Sequence, residues 1–217
     1  MRNTIRLAAF FLSVLFFTAI ARAQTQGAYL GAGIGSSHAS FNPGDFSLEL
    51  PQVAESADKA SVAGKVFAGY RFGRNFSAEV GYFNLGKFAY DYDGGASGAA
   101  AIDYKVTGIA ASGLATFPAA VDFYLLGRIG AFGSTTKASL GSASGSIGNT
   151  LAGAGITAGS GASVHKTTLY FGLGAQYDYS GGVSGRFEYE NFGEVGNGTD
   201  TGRAKVSLIS VSMLVRF

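Results

Sequence analysis

Few residues of this sequence could support acid–base or nucleophilic chemistry. The chain has two histidines, His38 and His165, and His38 has the hydroxyl side chains of Ser36, Ser37 and Ser40 close by in sequence. Histidine acting with serine and an acid can generate a nucleophile. Such neighbours are commonplace in a chain this rich in serine, so we interpret both histidines as solvated loop residues. The sequence therefore indicates no catalytic residue.

Metal and cofactor sites are not indicated either. The chain has no cysteine and only two histidines, whereas a zinc site needs clustered ligands of these types. The glycines of Gly31-Ala-Gly33-Ile-Gly35 lack the GxGxxG spacing of a phosphate-binding turn, and no helical segment follows them. We expect no metal, no cofactor and no enzymatic activity.

A different kind of site is indicated by charged residues on the polar faces of alternating segments. They are Lys65, Arg71, Glu79, Arg128, Asp178, Arg186, Glu188 and Glu190. Four of them are basic and four are acidic. If these faces enclose one interior, unpaired charge there is costly. We therefore expect the set to form an ion-paired network.

The segments that carry these charges alternate apolar and polar residues with the period of a β-strand. Eight strands are predicted, with turn residues between them: Gly27–Ser36, Ser61–Phe72, Phe76–Tyr92, Ile102–Phe117, Asp122–Phe132, Thr167–Tyr179, Gly185–Phe192 and Ala204–Phe217. In the third strand, Phe88 is assigned to the apolar face together with Val80 and Tyr82. The register within 102–117 stays open, because Ala and Gly occupy both of its faces.

The connections between these strands alternate in length. Tight turns are predicted at 73–75, 118–121 and 180–183, and longer connections at 37–60, 93–101, 133–166 and 193–203. Outer-membrane barrels combine short periplasmic turns with longer external loops. We expect the small and polar residues 139–163 to form a mobile external loop, and both histidines to lie in external loops.

The first 23 residues have the layout of a cleaved secretory signal peptide. Arg2 and Arg6 precede an apolar run over residues 7–20, and Ala21-Arg22-Ala23 supplies an A-x-A cleavage pattern. Residues 24–217 then form one mature domain. Removal of three arginines changes the formal net charge from +2 to −1, so the composition gives no support for nucleic-acid binding.

The apolar faces distinguish a membrane barrel from a soluble one. They consist of Val, Leu, Ile, Phe and Tyr with almost no charge, and aromatic residues gather near the strand ends. Aromatic girdles at both interfaces are typical of transmembrane barrels. The sequence thus predicts an all-β fold: an eight-stranded antiparallel up-and-down transmembrane β-barrel, preceded by a cleaved signal peptide.

Four stretches carry a family resemblance: Phe76–Tyr82, Gly172–Tyr179, Arg186–Tyr189 and Val211–Phe217. Over about residues 28–217 the chain resembles the OmpA-type outer-membrane β-barrel family, which includes small porin-like and opacity-type surface proteins. The resemblance implies a Gram-negative outer membrane, with its lipid and lipopolysaccharide as partners. It also implies that terminal Phe217 is a signal for the barrel-assembly machinery. The peptidoglycan-binding domain of full-length OmpA is not expected.

Two function classes remain open. The first is a structural protein that displays four external loops to a host or cell-surface ligand, with its lumen plugged by ion pairs. The alternative is a small-conductance porin-like channel, and a lipid-modifying enzyme is less favoured. Eight strands leave an interior that side chains can fill, whereas porins with water channels have 16–18. The strand count therefore favours the structural protein.

Overall fold

The computed structural model describes residues 26–41, 54–58, 60–93, 99–146, 149, 161–179, 182–197 and 202–217. The predicted signal peptide lies outside these ranges. The strands are β1 (Gly27–Phe41), β2 (Ala54–Asp58), β3 (Ala60–Arg71), β4 (Phe76–Asp93), β5 (Ala99–Ala120), β6 (Phe123–Ala143), β7 (Gly161–Asp178), β8 (Val183–Asn197) and β9 (Gly202–Arg216). Within the described part of the chain, no helix has the length and apolar character needed to cross a membrane.

The strands form a closed antiparallel ring. Each long strand pairs with the next one along the chain, and β1 pairs with β9 to close the ring. Eight strands make up this ring, as predicted, in up-and-down order. The remaining strand, β2, lies in the predicted connection 37–60. It pairs with residues 89–93 of β4, beyond the part of β4 that pairs with β3. Closure leaves no edge strand in the eight-stranded ring, although the ladder between β7 and β8 begins only at Phe171.

Several strands run further than the sequence predicts. β5 has 22 residues and β6 has 21, whereas about 9–11 residues suffice to cross a bilayer. The predicted loop 133–166 is wrong at both ends, since β6 continues to Ala143 and β7 begins at Gly161. Likewise, β8 and β9 take up much of the predicted connection 193–203. Gly, Ala and Ser at these ends are weak strand signals, but pairing with the neighbouring strand overrides propensity.

The tight turns lie together at one end of the barrel. Phe72 N–H donates to Phe76 O at 2.9 Å, and Tyr179 N–H donates to Val183 O at 2.8 Å. The turn predicted at 118–121 is displaced, because β5 continues to Ala120 and the chain reverses at residues 121–122. An irregularity in the ladder between Pro118 and Ala120 accommodates proline, which cannot donate to a ladder.

The side chains alternate between outward-facing and lumen-facing positions. The register that the sequence leaves open in 102–117 places Tyr104, Val106 and Leu114 inside and Ile109 outside. The outer wall carries many aliphatic side chains that are more than half exposed: Ile34, Val62, Val66, Ile109, Ile129, Leu169, Leu173, Val211 and Met213. Aromatic residues ring the end with the tight turns: Phe72, Phe76, Phe117, Phe123, Tyr177, Tyr179 and Phe217.

Two β-bulges interrupt this alternation on opposite strands of the ring. The ladder shifts register between Asn84 and Lys87 on β4 and between Asn191 and Glu194 on β8. In each bulge a glycine adopts positive φ, 88° at Gly86. One extra residue reverses the facing of everything beyond it. The assignment of Phe88 to the outer face is therefore wrong, and its side chain is buried.

The interior has two layers. Charged and polar side chains fill the half nearer the tight turns, and an apolar cluster fills the half beyond them. The apolar cluster includes Phe83, Leu85, Phe88, Tyr104, Val106, Phe132, Tyr170, Phe192, Val206 and Leu208. Among the described residues, buried side chains thus lie in both halves of the interior.

Candidate functional site in the barrel lumen

Six of the eight charged residues singled out from the sequence meet in the lumen. They are Lys65 of β3, Glu79 of β4, Arg128 of β6, and Arg186, Glu188 and Glu190 of β8. Their side chains are at most 3% exposed. With three cations and three anions, this cluster, called here the lumen network, carries no net charge.

The first part of the lumen network joins β3 and β6 to β8. Lys65 Nζ donates to Glu188 Oε2 at 2.7 Å and to Glu190 Oε2 at 2.6 Å. Arg128 Nη2 donates to Glu188 Oε1, and its Nη1 lies 3.3 Å from Glu190 Oε1. Each of the two neighbouring carboxylates is therefore shared by a lysine and an arginine from different walls of the barrel.

The second part crosses the barrel from β4 to β8. Arg186 Nη1 donates to Glu79 Oε1 at 2.5 Å. Tyr29 OH donates to the same oxygen at 2.8 Å. The other oxygen of Glu79 faces Arg128 Nη2 at 3.0 Å without the alignment of a hydrogen bond. Arg128 thus connects the two parts into one network.

Neutral side chains complete the lumen network, and the sequence analysis missed most of them. Tyr170 OH accepts from Arg128 Nη1 at 2.7 Å and donates to Glu190 Oε1 at 2.5 Å. Gln176 Oε1 accepts from Arg186 Nε at 3.1 Å and Nη2 at 3.0 Å. Both residues lie at lumen-facing positions of β7, so the alternation of inward and outward residues in that strand could have identified them.

Small residues make room for these large side chains. A Cβ added to Gly69 would lie 2.2 Å from Cζ of Tyr29, so a larger residue at that point of β3 would displace the Tyr29 ring. Tyr29 can therefore cross the lumen toward Glu79. The lumen-facing glycines are thus part of the site's construction.

The other two predicted members lie nearer the tight turns. Asp178 accepts hydrogen bonds from Gln176 Nε2 and Ser184 Oγ, each at 2.7 Å. Its other oxygen lies 3.1 Å from Arg216 Nη1, a partner that the sequence analysis missed. Arg71 is half-buried and joins none of the ion pairs among the described residues. The structure thus brings Asp178 to the network through Gln176 and leaves Arg71 beside it.

An aromatic layer lies next to the lumen network on the side away from the tight turns. The rings of Phe132 and Phe192 are 4.6 Å apart, and Phe192 stacks on Tyr170 at 5.1 Å. Phe83 contacts Phe192 edge-on, with the ring centroids 5.2 Å apart. Tyr170 belongs to both layers, because its ring packs here and its hydroxyl group binds within the network.

The two histidines are not in loops, so that expectation is wrong. His38 lies in β1 and His165 in β7, and both are exposed on the outer wall. His165 Nδ1 lies 3.0 Å from Thr135 Oγ1 on the neighbouring strand. Strand pairing at the long barrel ends explains the error, because it extends β1 and β7 past the predicted boundaries.

A closed antiparallel ring with an apolar outer wall and ion pairs buried in its lumen defines a transmembrane β-barrel of the outer-membrane type. The model of the OmpA-like transmembrane domain matches residues 23–217. The chain belongs to this family, and its location is the outer membrane. The resemblance inferred from the sequence is thereby confirmed. The comparison with curated proteins found no match.

Solved outer-membrane proteins have a similar fold. Neisserial surface protein A is 17% identical, with a TM-score of 0.55, over 89% of this chain and 100% of that one. OprG from Pseudomonas aeruginosa is 12% identical, with a TM-score of 0.50, over 88% and 96%. Ail of Yersinia pestis, solved with the heparin analogue sucrose octasulfate, is 17% identical over 88% and 99%, with a TM-score of 0.47. At these identities the first two similarities support the fold alone.

Proposed function

We propose that this protein is a non-conducting structural barrel that displays its external loops for interactions at the cell surface. The observation that carries the proposal is the lumen network, which links four strands of the ring through side chains at most 3% exposed. A water-filled path needs polar groups that face water. In this lumen the charged groups face one another instead.

Electrostatics explains why such a plug would stay closed. A permeating cation would have to take the place of Lys65, Arg128 or Arg186 beside a buried carboxylate. Breaking a buried pair by removing one partner costs about 3–5 kcal/mol, because the survivor stays buried and unpaired. The neutral sum of the six charges leaves no excess that would attract a counter-ion.

The aromatic layer adds a second barrier in series with the lumen network. Phe83, Phe132 and Phe192 are each at most 1% exposed. A hydrated ion would have to lose its water to pass between these rings, and burying an unpaired charge is costly. Two barriers of different chemistry therefore support a closed barrel better than a narrow channel.

A barrel with a closed lumen can still serve as a scaffold that displays its external loops at the cell surface. The long strands β5 and β6 exceed the roughly 9–11 residues that cross lipid by about ten residues each. Their far ends would carry the connections between strands away from the headgroups. A rigid scaffold that holds variable loops is a common arrangement for recognition. The surface ligand, the external location of the loops and the absence of enzymatic activity are parts of this proposal.

Single-channel recording separates the closed barrel from the porin-like alternative. The mature protein, refolded and inserted into planar lipid bilayers, should give no steady current that scales with salt concentration. The double variant Phe132→Ala/Arg128→Ala, checked for folding by its heat-dependent gel mobility, removes bulk from both layers and should increase conductance. Large steady conductance of the unaltered protein would support the channel and overturn the closed barrel.

A further inference from the structure

Three lysines form a row on the outside of the barrel. Lys87 of β4 lies directly opposite Lys105 of β5, and Lys105 lies directly opposite Lys137 of β6. All three side chains are exposed. Phe88, Val106 and Thr136, each next to one of these lysines in sequence, are buried, so the lysines point away from the lumen. They are called here the lysine row.

Among the acids whose side chains the structure describes, none brings a carboxylate within 4.0 Å of an ammonium group of the lysine row. The nearest of these acids in sequence is exposed Asp103, two residues from Lys105 on the same strand. Like charges directly opposite each other across strands are destabilising. Three in succession therefore favour a negative partner outside the protein.

The height of the row identifies where that partner would be. Ten residues of β5 separate Lys105 from Ala115, the partner of the girdle residue Phe76. At about 3.3 Å per residue and a tilt of about 40°, this separation is roughly 25 Å along the membrane normal. The apolar band of an outer-membrane barrel is also about 25 Å tall. The lysine row thus lies at the headgroup level of the leaflet remote from the tight turns.

The residues between the row and the apolar wall agree with that position. Tyr82 faces Ile109 across β4 and β5, and the next outward pair is Asn84 with Thr107. The lysine pair follows. The outer wall therefore changes from apolar to neutral polar to basic over two outward positions, as the lipid changes from acyl chain to headgroup.

We propose that the lysine row binds phosphate groups of lipids in the outer leaflet. Adjacent strands are about 4.8 Å apart, so the three ammonium groups span about 10 Å and can contact more than one phosphate. Lysine binds phosphate as a flexible point charge. A phosphorylated lipid also covers the apolar wall beneath the row, which a soluble anion does not. This site is independent of whether the lumen conducts.

The test compares lipid binding by the folded full-length mature protein and by lysine variants. The protein is reconstituted in phosphatidylcholine nanodiscs that contain a small fraction of diphosphorylated lipid A, and the lipid A retained after exchange with plain vesicles is measured. A basic residue near an anionic surface contributes about 1 kcal/mol, about fivefold in affinity. The variant K87Q/K105Q/K137Q should therefore bind lipid A with about 100-fold lower affinity, calculated from the retained fraction, and K87R/K105R/K137R should bind it nearly as tightly as the parent.

Lys205 provides the control. It is exposed on β9, and its partners across the ladders are Ser40 and Glu194 rather than lysines, so K205Q should leave retention unchanged. Equal retention by the parent and the triple glutamine variant, with both shown folded by circular dichroism, would overturn the proposal. Inorganic phosphate added to nanodiscs without lipid A distinguishes the two sources of phosphate. Equally strong, lysine-dependent binding of this free anion would overturn a site for lipid.

Discussion

Glu79 and Arg186 occupy equivalent positions on opposite strands, and their side chains meet 2.5 Å apart inside the barrel. Each lies three residues before a tyrosine that begins a Tyr-x-Asn-x-Gly segment, Tyr82–Gly86 on β4 and Tyr189–Gly193 on β8. In both segments the asparagine Oδ1 accepts a hydrogen bond from the glycine N–H, at 3.2 Å and 2.9 Å. Strands β4 and β8 therefore share one local pattern, in which a charged lumen residue precedes a β-bulge. The two charged residues have opposite signs.

The bulge glycines should be intolerant of substitution. Gly86 has φ of 88°, and a Cβ there would lie 2.2 Å from Ser61 Oγ. A non-glycine residue in this region of φ costs about 1–2 kcal/mol before any crowding. Gly86→Ala should thus lower the free energy of unfolding by at least that amount in urea titrations on lipid vesicles. Gly113→Ala is the control, since nothing lies within 4 Å of its Cβ position. A similar loss in both variants would count against the bulge.

Topology can be tested on intact cells. Gly73 lies in a tight turn between β3 and β4, and we expect the tight turns to face the periplasm. A tag inserted after Gly73 should be labelled only after the cells are permeabilised, whereas a tag after Gly145, at the opposite end of the barrel, should be labelled on intact cells. Protease added to intact cells should cut, if anywhere, between β6 and β7. Labelling at Gly73 without permeabilisation would invert the proposed orientation.

The terminal residue should matter for assembly more than for stability. Phe217 is 47% exposed, and its N–H donates to Ala28 O at 2.9 Å. Deletion of Phe217 should reduce the amount of folded protein in the outer membrane several-fold if the assembly machinery reads this residue. Phe117→Ala is a matched control, because Phe117 belongs to the same girdle and is 56% exposed. Equal yields from the two variants would make Phe217 an ordinary girdle residue.

Export can be tested by sequencing the N-terminus of the protein purified from outer membranes. The predicted cleavage after Ala23 should give a mature chain that begins at Gln24. A mature protein that still contains residues 7–20 would contradict the signal peptide.

The strand count and the facing of most strands could be predicted because lipid requires a uniformly apolar outer wall. That demand gives each crossing strand a regular alternation, as in Ile209, Val211 and Met213, which the structure places outside. Phe88 departs from this alternation because the β-bulge before it adds one residue to the strand. The repeated Tyr-x-Asn-x-Gly segment was the available signal for both bulges.

The ends of the long strands could not be predicted for a different reason. Beyond the lipid, β5–β7 no longer need apolar outward residues, so positions such as Thr135 and His165 lose the alternation while the ladder continues. The choice of ion-pair partners was also beyond the sequence. The carboxylate that Arg128 contacts depends on how far neighbouring strands are shifted along one another in the barrel. The partner of Asp178 is Arg216, which lies on β9, two strands away in the ring.

The lumen network is tested most directly by a double-mutant cycle on Glu79 and Arg186, with urea titrations of the four proteins in lipid vesicles. Each single change to alanine should lower the free energy of unfolding by about 3–5 kcal/mol, because it leaves a buried charge unpaired. Asp103→Ala, at an exposed position, should change it by no more than about 0.5 kcal/mol. The double variant should lose clearly less than the sum of the two single losses. Strict additivity of the two single losses would mean that Glu79 and Arg186 do not interact and would contradict the network.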